Sequence, residues 1–310
     1  MTSPIALDPS LPQHRVGLAL FMRFIGGVMM AIMLVLAKLA NEHGASAAET
    51  LIYRNIFAFP VILGWIIIGP GLGSIVTARP WAHLNRSALG LVAMTLNFFA
   101  ISLLPVAELT TINFLAPLAA TALAALLLGD KVGRHRWAAI AFGFAGIIVM
   151  THPGSRSDLS TLGLVLAFIS VGVMSFVPIT LRQLGSIDPP TTTVFWFTAS
   201  GTALSSVALI FCFEPHDALT WAMIVAMGVS GALLQLVMTM SLQLAPVSAS
   251  ASLDYLQIVW ATLLSWLVWS YLPSLHSVIG GMMICAAGLY TVYRERRRQK
   301  CYAAQGTPTS

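Results

Sequence analysis

Ten long apolar runs, separated by short stretches that gather the Pro, Gly and charged residues, occupy nearly all of the 310 residues. A run of about 20 apolar residues is what a helix needs to cross the hydrocarbon core of a bilayer, and inside it every backbone polar group must be satisfied within the segment. The runs fall near 16–40, 49–69, 86–104, 107–128, 136–151, 160–182, 191–212, 219–242, 247–270 and 276–293. With 57% hydrophobic and 9% charged residues, the chain has no stretch left over for a soluble domain. The expected fold is therefore an all-α integral membrane bundle of ten transmembrane helices. The three cysteines, Cys212, Cys285 and Cys301, have neither paired nor CxxC spacing, which removes disulfide and zinc frameworks. The "GASA" at 44–47 resembles a signal-cleavage site, but the run before it is too long for a signal core and contains Lys38, so it is read as a retained helix.

The basic residues orient the bundle. With both termini in the cytosol, the inner segments hold Arg15, Arg79, Arg86, Lys131, Arg134, Arg136, Arg182, Arg294, Arg296, Arg297, Arg298 and Lys300, and the outer loops hold Arg156 alone. This is a strong positive-inside pattern, as expected of an inner-membrane protein. Most of the +5 net charge comes from the tail "RERRRQK", which suits anionic lipid head groups better than nucleic acid. Arg23 and Lys38 lie near opposite ends of the first run, where long side chains snorkel to the interface.

The two halves resemble each other. "VGLALFMRFIGGVM" at 16–29 is echoed by "LGLVLAFISVGVMS" at 162–175, and "AISLLP" at 100–105 by "SLQLAP" at 241–246. Asn113 in "TINFLAPLAA" and Asp254 in "SLDYLQIVWA" are separated by the same distance as Pro105 and Pro246. Five spans per half is an odd number, so the second copy enters the membrane from the opposite side and the repeat is inverted. Two such halves can rock about a shared axis and open alternately to either face.

The block "NFLAPLAATALAALLLGDKVGRHRWAAIAFGFAGIIVM", with Pro117 in mid-helix and Gly129-Asp130 at the helix end, resembles the EamA-like families of the drug/metabolite transporter superfamily. The likeness covers nearly the whole chain. The second half departs from it, with Ile258 at the Pro position and Ser270-Tyr271 at the Gly-acid pair. The resemblance implies a central cavity formed by helices 1, 3 and 4 with 6, 8 and 9, and transport of small organic solutes, commonly export. The expected organisation is a cytosolic tail at 1–15, a first five-helix repeat at 16–151, a second at 160–293 and a basic cytosolic tail at 294–310.

Polar residues inside the spans carry the functional expectation, each beside a plainer one. Asp254 is the sharpest, because a mid-membrane carboxylate costs about 2.5 to 3.5 kcal/mol on the translocon scale and needs compensation. It reads as a solute or proton site, against a structural hydrogen bond to a neighbouring helix. Asn113, Asn97 and Gln235 can orient a solute or glue helices together. Tyr255, Trp260 and Trp266 offer ring faces to a cationic or aromatic solute, against simple packing, whereas Trp269 and Tyr271 read as interface anchors. Glu108, one turn into helix 4, suits a helix N-terminus at the outer surface, with gating as the sharper reading. Arg54 could snorkel outward, or pair with Glu49, five residues away and poorly placed on that helix face. Pro60, Pro117 and Pro178 are expected to kink their helices, and Asp130 to join Lys131 in a surface charge network.

The runner-up is a membrane-embedded lipid-modifying enzyme. Against it, there is no phosphate loop, HExxH pair or GxSxG elbow, and His83, His135, His152, His216 and His276 fall in loops or at span ends without metal spacing. The expected protein is a secondary transporter of a small organic metabolite, such as an amino acid or related compound. No cofactor or metal is expected. Its expected partners are the solute, the lipid bilayer and coupling protons, with a homodimer allowed and nucleic acid excluded.

Overall fold

A computed structural model describes residues 13–128, 134–151, 159–177, 180, 188–244 and 256–305. Among these residues the chain is helical, with no strand. The helices are α1 (Gln13–Glu42), α2 (Ala47–Ile68), α3 (Pro80–Leu103), α4 (Val106–Asn113), α5 (Ala116–Leu128), α6 (Arg134–Thr151), α7 (Thr161–Met174), α8 (Pro190–Cys212), α9 (Ala218–Leu244), α10 (Leu256–Trp269) and α11 (Leu275–Gln305), with a 3-10 turn at Leu72–Ile75. Five of them are long and apolar enough to cross a membrane unaided, and five shorter apolar helices fill the remaining spans.

The ten expected spans are all found, with two differences. The third begins at Pro80, because a Pro at the start of a helix sacrifices no internal bond. Arg86 is consequently not in a loop: it lies inside α3 with its guanidinium 4.6 Å over the Phe197 ring. The fourth span is broken into α4 and α5. Pro117 has no N–H to donate to Asn113, and its ring would crowd that carbonyl. The chain tightens instead, with Phe114 N donating to Thr111 O at 3.2 Å and Leu115 N to Ile112 O at 3.0 Å, before Ala119 N resumes the helix on Leu115 O. α2 runs on through Pro60. α7 stops at Met174 in a turn at Ser175, three residues before Pro178, which lies outside the described residues. The two interruptions meet: the Ser175 hydroxyl lies 3.2 Å from Ala116 O, at the start of α5.

Packing follows the inverted repeat. α1 lies along α9, and α7, the counterpart of α1, lies along α3, the counterpart of α9. α2 packs on α8 and α9, α4 on α10, and α6 on α11. The last pair is held close by small residues: a Cβ on Gly146 would come within 2.8 Å of Gly280 O, and one on Gly280 would strike Gly146 O. The buried core gathers on α1, α3 and α4, with Leu34, Phe98, Ile101, Leu104, Leu109, Ile112 and Leu115 fully enclosed. Side chains such as Phe21, Val92, Phe99, Phe144, Ile148, Val207 and Leu263 stay exposed, forming the apolar surface a bilayer covers.

Polar contacts close the two ends. At one end Thr77 Oγ1 donates to Asp188 Oδ2 at 2.7 Å and His83 Nε2 lies 2.8 Å from the same oxygen, so the loops before α3 and α8 share a face. The hydrogen bonds from Thr77 and His83 hold the Asp188 carboxyl below the usual carboxylate range. At the other end Glu49 Oε1 receives the backbone N–H of Glu214 and lies 3.1 Å from His216 Nε2, while Glu49 Oε2 completes the capping box with Ser46. Lys38 does not snorkel: its Nζ donates to Ile101 O and Leu104 O, satisfying carbonyls orphaned at the end of α3.

Candidate functional site

The break between α4 and α5 leaves Asn113 as the last residue of α4, at the point where the helix can no longer satisfy its own backbone. Asn97 of α3 reaches it, Nδ2 donating to Asn113 Oδ1 at 2.9 Å. Neither amide is fully buried, although both sit in the interior of their spans. Helical periodicity says which way they face. On α3 the exposed stripe is Val92, Phe99 and Leu103; Asn97 lies about 140° round the helix from it, at about 100° per residue. On α9 the exposed stripe is Leu219, Val225 and Leu233, and on α10 it is Val259, Leu263 and Trp266. Gln235 and Gln257 each lie about 150° from their own stripe on the same count. All four amides are thus turned from lipid toward the bundle interior, and all keep partial exposure there.

Helix α1 runs through this region. A Cβ on Gly26 would meet Met238 Cε of α9 at 2.8 Å, and one on Gly27 would meet Gln257 Cγ of α10 at 3.3 Å. Their lack of side chains lets both helices close on α1. Phe24 and Trp260 meet edge to face, with ring centroids 5.6 Å apart. The interior therefore presents amides and aromatic edges, a lining able to hold an uncharged or zwitterionic molecule by hydrogen bonds and ring contacts.

The expected site residues divide. Asn97 and Asn113 are in contact, and Gln235 and Trp260 lie on the helices that pack on α1. Trp266 shares the lipid-facing stripe of α10, so its ring is not offered to an interior solute. Glu108 is not solvated at the surface: it is 1% exposed, and its Oε1 accepts from the Tyr271 hydroxyl at 2.8 Å. Tyr271 and Trp269 likewise differ from free interface anchors, since Trp269 Nε1 donates to Glu42 Oε2 at 2.6 Å. Arg54 is buried, with Nη1 on Asn55 Oδ1, and Glu49 is engaged with His216 instead. Asp254, Tyr255 and Asp130 lie outside the described residues. Gln257 escaped the sequence reading, although it stands one turn after Asp254 and the spacing alone could have flagged it.

Two inverted sets of five spans, with a broken helix and inward amides at their centre, define a multi-pass membrane carrier. The chain belongs to the EamA-like transporter family, whose model matches residues 17–152 and again 161–293. It is 26% identical over 298 residues to a riboflavin transporter of Rhizobium johnstonii, covering 96% of each chain. It is 24% identical over 252 residues to an S-adenosylmethionine uptake transporter of Rickettsia prowazekii, covering 80% of this chain and 84% of that one. It is 24% identical over 269 residues to the pseudopaline exporter CntI of Pseudomonas aeruginosa, covering 84% and 94%. A solved structure described as "Crystal structure of protein" superposes with a TM-score of 0.61 at 20% identity, over 90% of this chain and 98% of that chain, a likeness of fold. The protein is a transporter of this family and not an enzyme, and these relatives are transporters of small molecules.

Proposed function

We propose that the chain carries a small organic metabolite, an amino acid or a related compound, across the cytoplasmic membrane by alternating access, with export as its net direction and both termini in the cytosol. The observation that carries this reading is the Asn97–Asn113 pair, seated at a helix break in mid-span and turned from lipid. A broken helix with unspent hydrogen-bonding capacity is how carriers of this architecture present polar groups at the bilayer midplane. The relatives' names support a metabolite-sized solute and include both uptake and export, so direction follows from the coupling gradient and export rests on the family resemblance. Counterflow in proteoliposomes with L-amino acids, S-adenosylmethionine and riboflavin tests the reading. Saturable entry of at least one is expected; formation of product without movement of any solute would overturn it.

Asp254, the counterpart of Asn113 in the repeat, is proposed to couple transport to protons, with Glu108 held in reserve behind Tyr271. A carboxylate that is alternately enclosed and wetted can take up a proton on one side and release it on the other. Asp254→Asn keeps the size of the side chain and removes the titration. Its expected phenotype is loss of pH-driven accumulation with solute exchange retained. Accumulation that still follows an imposed pH gradient would assign coupling elsewhere.

A further inference from the structure

Arg54 is a buried cation to which the described structure gives no counter-charge. It is 5% exposed, and among the described residues its one hydrogen bond runs from Nη1 to Asn55 Oδ1 at 3.1 Å, while the buried Nε meets no acceptor. The Asn55 amide is itself committed to Ser205 Oγ at 3.0 Å, so Asn55 orients the guanidinium without neutralising it. The acid nearest along its own helix, Glu49, is taken up by Ser46, Glu214 and His216. A guanidinium withdrawn from water and left without an anion strongly destabilises a fold, and Arg holds its charge where Lys or His would shed it.

Its placement is specific. Half-way along α9, Gly231 leaves room for it: a Cβ there would lie 3.0 Å from Arg54 Nε and 3.1 Å from Met33 Sδ of α1. One turn earlier on α9, Gly228 seats Phe57, the residue three beyond Arg54 on α2. One turn later comes Gln235, on the inward face described above. The cation therefore stands where α1, α2 and α9 converge, within a helical turn of an interior amide.

We infer that Arg54 is the anion anchor of the transport site and that the solute carries a carboxylate, received by the guanidinium between α1 and α9 while Gln235 meets a neighbouring polar group of the same molecule. The planar fork of an arginine matches a carboxylate through paired N–H donors, and the buried Nε is a donor without an acceptor here. The inference deepens the carrier reading above and rests on it. The solute supplies a charge that the described residues do not, so binding compensates the buried cation, which favours closure around loaded carrier over unloaded carrier.

The test uses the full-length chain in proteoliposomes, with each L-amino acid paired with its own carboxamide, and with S-adenosylmethionine set against riboflavin, which has no carboxylate. The acids are expected to be carried. The carboxamides should compete about tenfold or more weakly, the loss expected when a charge-assisted pair becomes a neutral contact. Arg54→Lys, which keeps the charge and loses the fork, should weaken transport, and Arg54→Met should abolish it. Carriage of riboflavin alone, or equal competition by acid and carboxamide, leaves the carrier reading standing and overturns the anchor. The melting temperature of solute-free protein in detergent gives a readout that needs no solute. Arg54→Met should raise it, because an uncompensated charge leaves the interior; a fall would mean that the guanidinium holds the helices together, and would overturn the inference whatever the transport assay shows.

Discussion

Asn113 shows how much one side chain can carry when its helix fails beneath it. Replacing it with Leu removes the acceptor for Asn97 and fills the break with hydrocarbon. Transport should fall about tenfold or more, the equivalent of one lost hydrogen bond to a polar solute, and monodisperse protein should persist. Transport at the parental rate would make the pair interhelical glue. Asp188 makes a different kind of prediction, being outside the membrane and held by Thr77 and His83. Its carboxyl is depressed in the folded protein, so the stability it adds is present above the unfolded value of about 4 and drains away as pH falls through the lower folded value. Asp188→Asn should therefore lower the melting temperature at pH 7 and lower it by less at pH 3. An equal loss at both pH values would mean that the charge contributes nothing. The identities of these residues were plain in the sequence, but their partners were not: Thr77 and Asp188, or Glu108 and Tyr271, are joined across distances that helical periodicity does not address.

At the scale of elements, the broken fourth span is the clearest case of local chemistry deciding shape. Pro117 denies Asn113 its helical partner, and the chain answers with two tight i−3 bonds at Phe114 and Leu115. Pro117→Ala should let α4 and α5 fuse. An interior proline costs a helix up to about 3 kcal/mol relative to alanine, so the melting temperature should rise while transport slows. Faster transport in a stiffened variant would remove the break from the transport cycle. A proline in mid-run announced that a bend was coming. That the bend would abut the end of α7, with Ser175 reaching toward Ala116, depended on how two spans from different halves are laid side by side.

For the whole molecule, the alternation of polar closures assigns ends to faces: the Thr77–Asp188 contact marks one, the Glu49–His216 contact the other. If the cytosolic ends are those proposed from the Lys/Arg distribution, a single cysteine at Gly73 should resist an impermeant thiol reagent in intact cells, while one at Glu214 should react. The reverse pattern would invert the topology. The sequence by itself determined the class of fold, the number of spans and the inverted repeat, because in lipid a backbone must bond to itself and so apolar length alone dictates a helix. The proposed orientation rests on a quantity of the same local kind, charge near span ends. Only the tertiary structure decided which polar groups are spoken for. Lys38 caps α3, Glu49 takes His216, Trp266 turns to lipid, and Arg54 meets no acid among the described residues, outcomes that arise from the packing of α1, α2, α3, α9 and α10 and from no property of any one segment. A buried charge is stabilised or stranded by whatever the neighbouring helices bring within a few ångströms, and that is settled when the bundle closes.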